Sequence, residues 1–337
     1  MDAQPPTTKN PLCERLGIEV PIILAPMGGV NSPRLAAAVS NAGGLGTLAP
    51  WADSLDTLRS QVREMRTLTA RPFAVNFVMA FEQEARLDAC LEEGVRVISF
   101  FWSDPPRLVE RAKAGGAIVL HTVGSTREAR IAVDCGVDII VAQGWEAGGH
   151  VRGTVATLPL IPAVVDAVGS VPVVAAGGIG DARGMAAVLA LGAAGAWMGT
   201  RFLSAEEAAI HPDYRAQLLA ATENDTVMAD DLYVVGGWPD APHRTLLNST
   251  ASGWLAAGRP AIGQRPGETD RIGTSANGRS IRRYTGWTPG AAVAGDVEAM
   301  AMWAGQSVGQ AKKVQPAAEI VRETWDGARA ILRELGA

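Results

Sequence analysis

The feature that most constrains the fold is a regular alternation of short apolar runs and amphipathic segments between residues 22 and 200. The runs are too short for helices and are rich in β-branched residues, as expected for strands buried on both faces. Each run and its following segment together take roughly 20 to 27 residues, which is the length of a βα unit. Eight such units predict a closed (β/α)₈ barrel, the TIM-barrel fold of the α/β class. Because alternation alone does not prove closure, an open doubly wound sheet is the alternative.

The predicted strands and helices follow directly from this alternation. The strands are predicted at Ile22–Ala25, Gly46–Leu48, Phe73–Phe77, Val95–Phe100, Ala117–His121, Asp138–Ala142, Val171–Ala176 and Ala194–Met198. The helices are predicted at Ser32–Ala42, Leu55–Leu68, Glu82–Glu93, Pro106–Lys113, Ser125–Cys135, Leu158–Val168 and Ala182–Leu191, with a final helix at Pro316–Leu335. Ser32 before Pro33, and Asp181 before an Ala-rich segment, are expected to cap their helices.

The alternation of apolar runs and amphipathic segments ends after His211. Residues 222–290 are rich in Gly, Pro, Thr and Asn and lack βα alternation. We interpret this segment as an inserted lid over the mouth of the barrel, because a substrate site needs to exclude water. The predicted organisation is therefore a barrel of residues 1–217 and 300–337 and a lid or small substrate domain of residues 218–299.

Composition excludes several classes of function. The net charge is −5 and no basic block is present, which argues against nucleic acid as a partner. The three cysteines lack metal-ligand spacing, so no metal site is predicted. No signal peptide is evident, and the uncharged segment 184–200 is slightly short for a membrane span and broken by glycines. We expect a cytoplasmic protein with small-molecule partners and no membrane contact, as a monomer or a homodimer.

The loop after the sixth predicted strand carries the first candidate for catalysis. Residues 143–150 read Gln-Gly-Trp-Glu-Ala-Gly-Gly-His, and in such barrels the catalytic groups occupy the loops at the carboxyl ends of the strands. The glycines let the backbone approach a ligand closely. An imidazole suits proton transfer or the binding of a developing anion near neutral pH. His150 is therefore the candidate catalytic residue, and a solvated loop with an incidental histidine is the alternative.

Two glycine-rich turns predict a phosphate site. They are Gly177–Gly178 after the seventh strand and Met198–Thr200 after the eighth, one βα unit apart, so the turns are neighbours. Each can aim backbone N–H groups at an anion. No Gly-x-Gly-x-x-Gly fingerprint opens a helix, which disfavours a dinucleotide fold. Together with amides at Asn76 and Gln143 and the apolar Met27, the cradle is consistent with flavin mononucleotide (FMN).

These motifs resemble the nitronate monooxygenase family, once called 2-nitropropane dioxygenases. The resemblance runs in order from about Leu16 to His211 and resumes at Trp303–Val308. It lies in the runs at residues 25–30, 42–46, 72–76, 143–150, 176–179 and 198–202. The Glu-x-Gly-Gly-His stretch is shared with flavin-dependent enoyl-acyl-carrier-protein reductases, so the resemblance is more specific for the flavin superfamily than for the reaction.

The resemblance implies an enzyme in which bound FMN and O₂ oxidise alkyl nitronates, and nitroalkanes by extension, to carbonyl compounds and nitrite. His150 matches the catalytic histidine of the family. The candidate cofactor-binding residues are Ala25, Met27, Asn76, Gln143, Gly148, Gly149, Gly177, Gly178, Met198, Gly199 and Thr200. One alternative is NAD(P)H-dependent reduction of an enoyl thioester by the same FMN. Another is a flavin-binding regulatory or storage protein without turnover. The long insert departs from shorter family members and leaves the substrate open.

Five further polar residues have structural interpretations. His121 is either a polar group of the flavin site or a core histidine. Glu146 either orients His150 or caps the turn that follows. Asp138 begins a strand and is expected to be structural. His243 and Arg244, in the insert, are expected on the surface.

Overall fold

The structure is a computed structural model that describes residues 10–103, 106–236, 238 and 240–336. Its strands are β1 Ile22–Leu24, β2 Gly46–Leu48, β3 Phe73–Val78, β4 Val97–Phe101, β5 Ile118–Val123, β6 Ile139–Gln143, β7 Gly149–His150, β8 Val173–Ala176, β9 Gly195–Met198, β10 Thr226–Ala229, β11 His243–Leu246, β12 Arg271–Thr274, β13 Ser280–Arg282 and β14 Ala294–Gly295.

The helices alternate with these strands over the first two thirds of the chain. They are α1 Pro11–Leu16, α2 Pro33–Asn41, α3 Leu55–Leu68, α4 Glu84–Glu92, α5 Pro106–Ala114, α6 Thr126–Asp134, α7 Thr157–Val168, α8 Ala182–Ala190, α9 Pro212–Ala220, α10 Ser249–Ala256 and α11 Ala317–Glu334. Short 3₁₀ helices lie at Thr200–Ser204, Val297–Ala299 and Gln306–Gln310.

The main sheet is a barrel of eight strands. Their order is β1-β9-β8-β6-β5-β4-β3-β2, and each neighbouring pair is parallel. A parallel bridge between Ile23 and Leu45 joins the two outer strands. There the Leu24 N–H donates to Leu45 O at 2.9 Å, and the Leu45 N–H donates to Ile22 O at 2.9 Å. The predicted (β/α)₈ barrel is thus confirmed over the open sheet, because β1 is hydrogen-bonded to Leu45, the residue directly before β2.

All eight predicted barrel strands are present, with ends displaced by one or two residues. The segment 184–200 is the end of α8 running into β9, as predicted from its internal glycines. Both predicted caps form: the Leu35 N–H donates to Ser32 Oγ at 3.2 Å, and the Gly184 N–H donates to Asp181 Oδ1 at 3.1 Å. Among the described residues, no helix has both the length and the apolar character needed to cross a bilayer.

The core has two parts, set by the alternation of side chains along the strands. One part fills the barrel with strand residues such as Ile23, Leu120 and Val174, all fully buried. Leu12 of α1 belongs to this cluster and lies against Gly195 at the start of β9, so α1 covers the amino end of the barrel. The larger part lies between the strands and the surrounding helices. The carboxyl end of the barrel is therefore the end left for a site.

The insert pairs with the barrel through a small sheet of order β10-β11-β7. In this sheet β11 runs antiparallel to β7, with His243 opposite His150. A second small sheet, β13-β12-β14, contains the rest of the insert's strands within the described residues. The insert is thus hydrogen-bonded to the loop that leaves the carboxyl end of β6.

A buried arginine ties the end of the barrel to the C-terminal segment. Arg201 donates from Nη1 to Ser204 Oγ at 2.6 Å and from Nη2 to Gln315 Oε1 at 3.0 Å. Gln315 precedes α11, which packs so closely on α8 that a Cβ at Gly327 would lie 2.6 Å from Ala182 Cβ. These contacts fix the C-terminal segment next to the turn after β9.

We predict opposite effects on stability for two glycine-to-alanine changes. At Gly46 in β2, an added Cβ would lie 1.9 Å from Ala36 O, so Gly46→Ala forces strand and helix apart. We expect it to lower the free energy of unfolding by about 1–3 kcal/mol or more. At Gly253 in α10 the added Cβ meets nothing within 4 Å. Gly253→Ala is the matched control and should stabilise by about 0.5–1 kcal/mol. Urea unfolding measures both, and equal effects would contradict the packing described here.

Candidate active site

A cavity of about 1230 Å³ lies at the carboxyl ends of the barrel strands. Both the barrel and the insert line it, so the insert covers this end of the barrel. Typical small-molecule pockets occupy about 300–1,000 Å³, and this cavity therefore has room for a cofactor and a substrate together. It is lined by all but one of the residues singled out from the sequence, namely Ala25, Met27, Asn76, Gln143, Gly148, Gly149, His150, Gly177, Gly178, Gly199 and Thr200.

The exception is Met198. Its side chain is 1% exposed and belongs to the core between barrel and helices, because β9 alternates its side chains between the barrel interior and the helices. The neighbouring Gly199 does line the cavity, and a Cβ there would lie 3.5 Å from Met27 Sδ. Met27 thus lies beside the turn after β9.

The two glycine-rich turns present free backbone donors to the cavity. Gly177 and Gly178 have φ of +96° and +73°, in the left-handed region that favours glycine. Within the described residues, the N–H groups of Gly178 and Gly199 have no hydrogen-bond acceptor. Since β8 and β9 are adjacent, the two donors come from neighbouring turns. This donor set fits one phosphate group.

Gly148 and Gly149 are glycines for different reasons. A Cβ at Gly148 would lie 2.4 Å from Gly305 N, so this position is small because the segment before α11 packs directly against it. Gly149 has φ of +69°, and a Cβ there would meet nothing within 4 Å. The Gly305 N–H donates to Thr200 Oγ1 at 2.9 Å, which fixes that segment beside the turn after β9.

The two amides have different roles. Gln143 donates from Nε2 to His150 O at 3.0 Å and accepts from the Arg152 N–H at 3.2 Å, so it holds the short strand that carries His150. Asn76 is 2% exposed and accepts from Ser99 Oγ at 3.0 Å. No described acceptor binds the Asn76 amide N–H₂, which remains available to a ligand in the cavity.

His150 is packed among aromatic rings. Its imidazole stacks on the Trp238 indole, with ring centroids 3.9 Å apart and planes inclined by 16°. Trp303 and His243 lie 5.5 Å and 5.6 Å from it. His150 Nε2 is buried and has no hydrogen-bond partner in the part of the chain that the structure describes. Burial, with a smaller contribution from His243, lowers the pKa of His150 to about 3. The imidazole is therefore neutral at physiological pH.

His243 and Arg244 are buried, and the prediction that they lie on the surface was wrong. His243 is 0% exposed and Arg244 is 4% exposed, because β11 pairs with β7 between the insert and the barrel mouth. His243 accepts from the Tyr233 N–H at Nε2, and its Nδ1 lies 3.0 Å from Ala241 O. Arg244 donates to Trp145 O at 3.0 Å. The Arg244 side chain therefore bonds the insert to the loop of His150, whereas the His243 side chain is hydrogen-bonded within the insert and contacts the His150 ring.

The structure decides between the interpretations of three other polar residues. His121 lies inside β5, is 3% exposed and has its pKa lowered to about 4 by burial, so it is a core histidine. Glu146 accepts from the Thr157 N–H at 2.8 Å and therefore caps α7 instead of orienting His150. Asp138 accepts from Lys113 at 2.9 Å and from the Val119 N–H at 2.9 Å, which is the expected structural role.

Sequence reasoning missed the aromatic wall beside His150. Trp51 and Phe81 stack at 5.1 Å, and Trp102 meets Trp238 edge-on at 5.1 Å. Phe101 lies 6.1 Å from Trp238. One signal was available: the chain has 9 tryptophans and only 3 tyrosines, an excess that points to large apolar surfaces around a ligand. The positions of these aromatic residues in the sequence did not indicate that their rings contact one another in the folded structure.

The site has no evident metal centre. Among residues 10–103, 106–236, 238 and 240–336, no three His, Cys, Asp or Glu side chains are grouped so that they could hold an ion. The available chemistry is thus one neutral imidazole, one free amide, two backbone donors and an apolar aromatic wall.

The sequence as a whole is similar to known enzymes. A model of the nitronate monooxygenase family matches residues 9–86 and 77–326. The nitronate monooxygenase of Pseudomonas aeruginosa is 35% identical over 359 residues, covering 91% of this chain and 95% of that protein. A protein of Mycobacterium tuberculosis is 39% identical over 268 residues, covering 78% and 74%; its name is (3aS,4S,5R,7aS)-5-hydroxy-7a-methyl-1-oxo-octahydro-1H-indene-4-carboxyl-CoA dehydrogenase.

Solved structures agree with this grouping. FabK from Thermotoga maritima superposes with a TM-score of 0.77 at 30% identity, covering 96% of this chain and 97% of that one. The nitroalkane oxidase of Streptomyces ansochromogenes superposes with a TM-score of 0.77 at 27% identity, covering 96% and 99%. The family match extends over most of the chain and includes the cavity and its glycine turns. The chain therefore belongs to the nitronate monooxygenase family of flavin-dependent oxidoreductases.

Proposed function

We propose that this protein uses bound FMN and O₂ to oxidise alkyl nitronates, and nitroalkanes by extension, to carbonyl compounds and nitrite. The observation that carries the proposal is the position of a neutral His150 in the cavity that also contains the two glycine turns. Family membership and the similarity to a nitroalkane oxidase support it.

FMN is the flavin that fits the donor set. The turns at Gly178 and Gly199 offer backbone donors for one terminal phosphate, and Met27 lies beside them. The free amide N–H₂ of Asn76, which lines the same cavity, would donate to a polar edge of the ring system. When bound there, FMN supplies the electron acceptor, while the protein supplies orientation and electrostatics.

Burial lowers the pKa of His150, so the ring is neutral and not a cation at physiological pH, and it is a weaker base than an ordinary imidazole. An imidazole whose pKa is about 3 is unprotonated at neutral pH and cannot attract a nitronate by its charge. It can accept the carbon-bound proton of a neutral nitroalkane, or donate one hydrogen bond to an anion. We therefore assign His150 the role of general base wherever a neutral nitroalkane is the substrate.

The insert of residues 218–299 is proposed to act as the lid of this site. Trp238 of the insert covers one face of the His150 ring, and Nε2 of His150 is buried in this arrangement. Displacement of Trp238 is the movement by which we propose that a substrate reaches the imidazole. Replacing that indole by substrate would keep water away from the imidazole during proton transfer.

A second candidate function is redox chemistry on a thioester. The relative from Mycobacterium tuberculosis is named as a dehydrogenase of a carboxyl-CoA compound, and the sequence motifs resemble flavin-dependent enoyl reductases. The two candidates differ in the electron donor. Rapid anaerobic bleaching of the flavin by NAD(P)H favours reduction of a thioester, bleaching by an acyl-CoA compound favours dehydrogenation of one, and bleaching by a nitronate favours the proposed reaction.

We predict that the purified protein contains FMN and that Gly178→Asp loses it. The carboxylate would place a negative charge at the phosphate cradle, and Glu146 already lies within 4.0 Å of a Cβ at this position. The matched control is Gly116→Asp, at another left-handed glycine, where an added Cβ meets nothing within 4 Å. Flavin released by acid and separated by chromatography measures the content. FAD in the wild type, or full FMN content in Gly178→Asp, would contradict the assignment.

We predict that His150→Asn lowers turnover of neutral nitroalkanes far more than turnover of preformed nitronates. A nitronate has already lost the carbon-bound proton, whereas removal of a general base typically costs about 10²–10⁴-fold in rate. Steady-state kinetics on both forms of one substrate, with FMN content checked, measures the ratio.

The control for this substitution is His211→Asn. His211 caps α9, away from the cavity lining, and asparagine caps helices well, so both activities should be retained. A larger loss with the nitronate than with the nitroalkane, expressed mainly in KM, would show instead that His150 binds the anion. Small, equal losses would show that it is a bystander.

A further inference from the structure

A hairpin of the insert brings several arginines to the mouth of the cavity. Strands β12 and β13 contain Arg271 and Arg282, and Arg279 lies in the turn between them. Arg279 and Arg282 are exposed and line the cavity. Among the described residues neither has a carboxylate partner within ion-pair distance. We refer to Arg271, Arg279 and Arg282 as the arginine hairpin.

The hairpin keeps these charges together at a cost in stability. In the antiparallel pairing, Arg271 is directly opposite Arg282. Like charges in that position repel each other. Arg271 donates to Thr274 Oγ1 at 2.8 Å and to no carboxylate in the described chain. An anion bound between the guanidinium groups would relieve this repulsion.

The charge balance around the mouth is positive although the protein as a whole is negative. Besides His150 and the neutral Tyr214, the ionisable side chains that line the cavity are Asp53, Arg86, Arg279 and Arg282. The chain carries a net charge of −5, so this concentration of arginines is local. A cavity mouth of one sign attracts ligands of the opposite sign. Arginine forks are especially suited to phosphate oxygens.

The inner part of the cavity has the opposite character. Trp51, Phe81, Phe101 and Trp238 form an apolar wall beside His150. A ligand that reaches from the hairpin to His150 must therefore combine an anionic outer end with an apolar inner end. The cavity of about 1230 Å³ is large enough to admit such a ligand beside a cofactor.

We propose that the arginine hairpin binds the phosphate-bearing nucleotide end of a coenzyme A thioester whose acyl group enters the aromatic part of the cavity. The adenosine phosphates that the hairpin recognises occur in coenzyme A and also in NADPH. The apolar wall and the similarity to a dehydrogenase named for a carboxyl-CoA compound favour coenzyme A. This inference concerns binding and does not rest on the proposed oxidation of nitronates.

Isothermal titration of the flavin-loaded full-length protein tests the inference. The probes are coenzyme A, pantetheine, NADPH and inorganic pyrophosphate, each at low and at high salt. Coenzyme A should bind at least about tenfold more tightly than pantetheine, which lacks the nucleotide, because charge-assisted hydrogen bonds to phosphate are lost. Its binding should weaken as salt rises, since the arginines are exposed.

The variant for this test is the double substitution Arg279→Gln and Arg282→Gln. We expect it to weaken binding of coenzyme A by about tenfold or more per arginine and to leave binding of pantetheine unchanged. Both residues are exposed, and thermal unfolding checks that the fold is retained. The control is Arg322→Gln on α11, an arginine whose side chain is 64% exposed and which does not line the cavity.

Three results would overturn the proposal: no binding of coenzyme A, equal affinities of the wild type and the double variant, or binding of NADPH without binding of coenzyme A. The last result would assign the hairpin to a reductant. Because the titration measures binding and not turnover, its failure leaves nitronate oxidation as proposed. Loss of nitronate oxidation would likewise leave the arginine hairpin as inferred.

Discussion

The contact between His150 and the insert is the constraint on which the rest of the site depends. The short strand β7 pairs with β11, and Trp238 stacks on the imidazole at 3.9 Å. Gln143 holds the same strand from the barrel side through His150 O. The imidazole is thus fixed between two parts of the chain, and its Nε2 atom is removed from water. Its low pKa is the consequence, and with it a neutral ring in the cavity.

The barrel and the insert contribute to the site in two different ways. The barrel provides donors that do not move, namely the turns after β8 and β9, because parallel strands fix where their carboxyl ends lie. The insert provides the surroundings that determine the charge of His150 and the size of the opening. Family members with a shorter segment here would keep the cradle and change the pocket. Because the cradle is a family feature and the insert shapes the pocket, membership of the family does not by itself identify the physiological substrate.

Much of the fold could be predicted from the sequence, because it depends on local pattern. The barrel strands are buried on both faces and read as apolar runs, and Ser32 and Asp181 mark helix starts that the structure contains. Strand ends were predicted less closely: β5 continues past His121 to Val123, and its last two residues are still buried. The insert contains no comparable pattern of apolar runs from which its strands could be predicted. Its strands have only two to four residues each, and their partners are far away in sequence.

The site was predictable to the same extent and for the same reason. Glycines at the strand ends and His150 follow from the barrel topology, and they do line one cavity. The sequence did not indicate why each position must be glycine. Gly148, for example, has no room for a side chain because Gly305 packs against it. The prediction that His243 lies on the surface was wrong because its burial depends on pairing with β7, which the local sequence does not indicate. The contact between Trp238 and the aromatic side chains of the barrel also forms only in the tertiary structure, so the local sequence did not predict it.

The most direct test of the account is the titration of His150 itself. NMR of flavin-loaded protein with ¹⁵N-labelled histidine, with the signal assigned through its absence in His150→Asn, gives the pKa of this one imidazole. The account predicts that His150 stays neutral down to pH 5 and below in the wild type. In Trp238→Ala, where water reaches the ring, the pKa should rise toward the ordinary value of about 6.5. A wild-type pKa near 6.5, or one that Trp238→Ala does not change, would contradict the account.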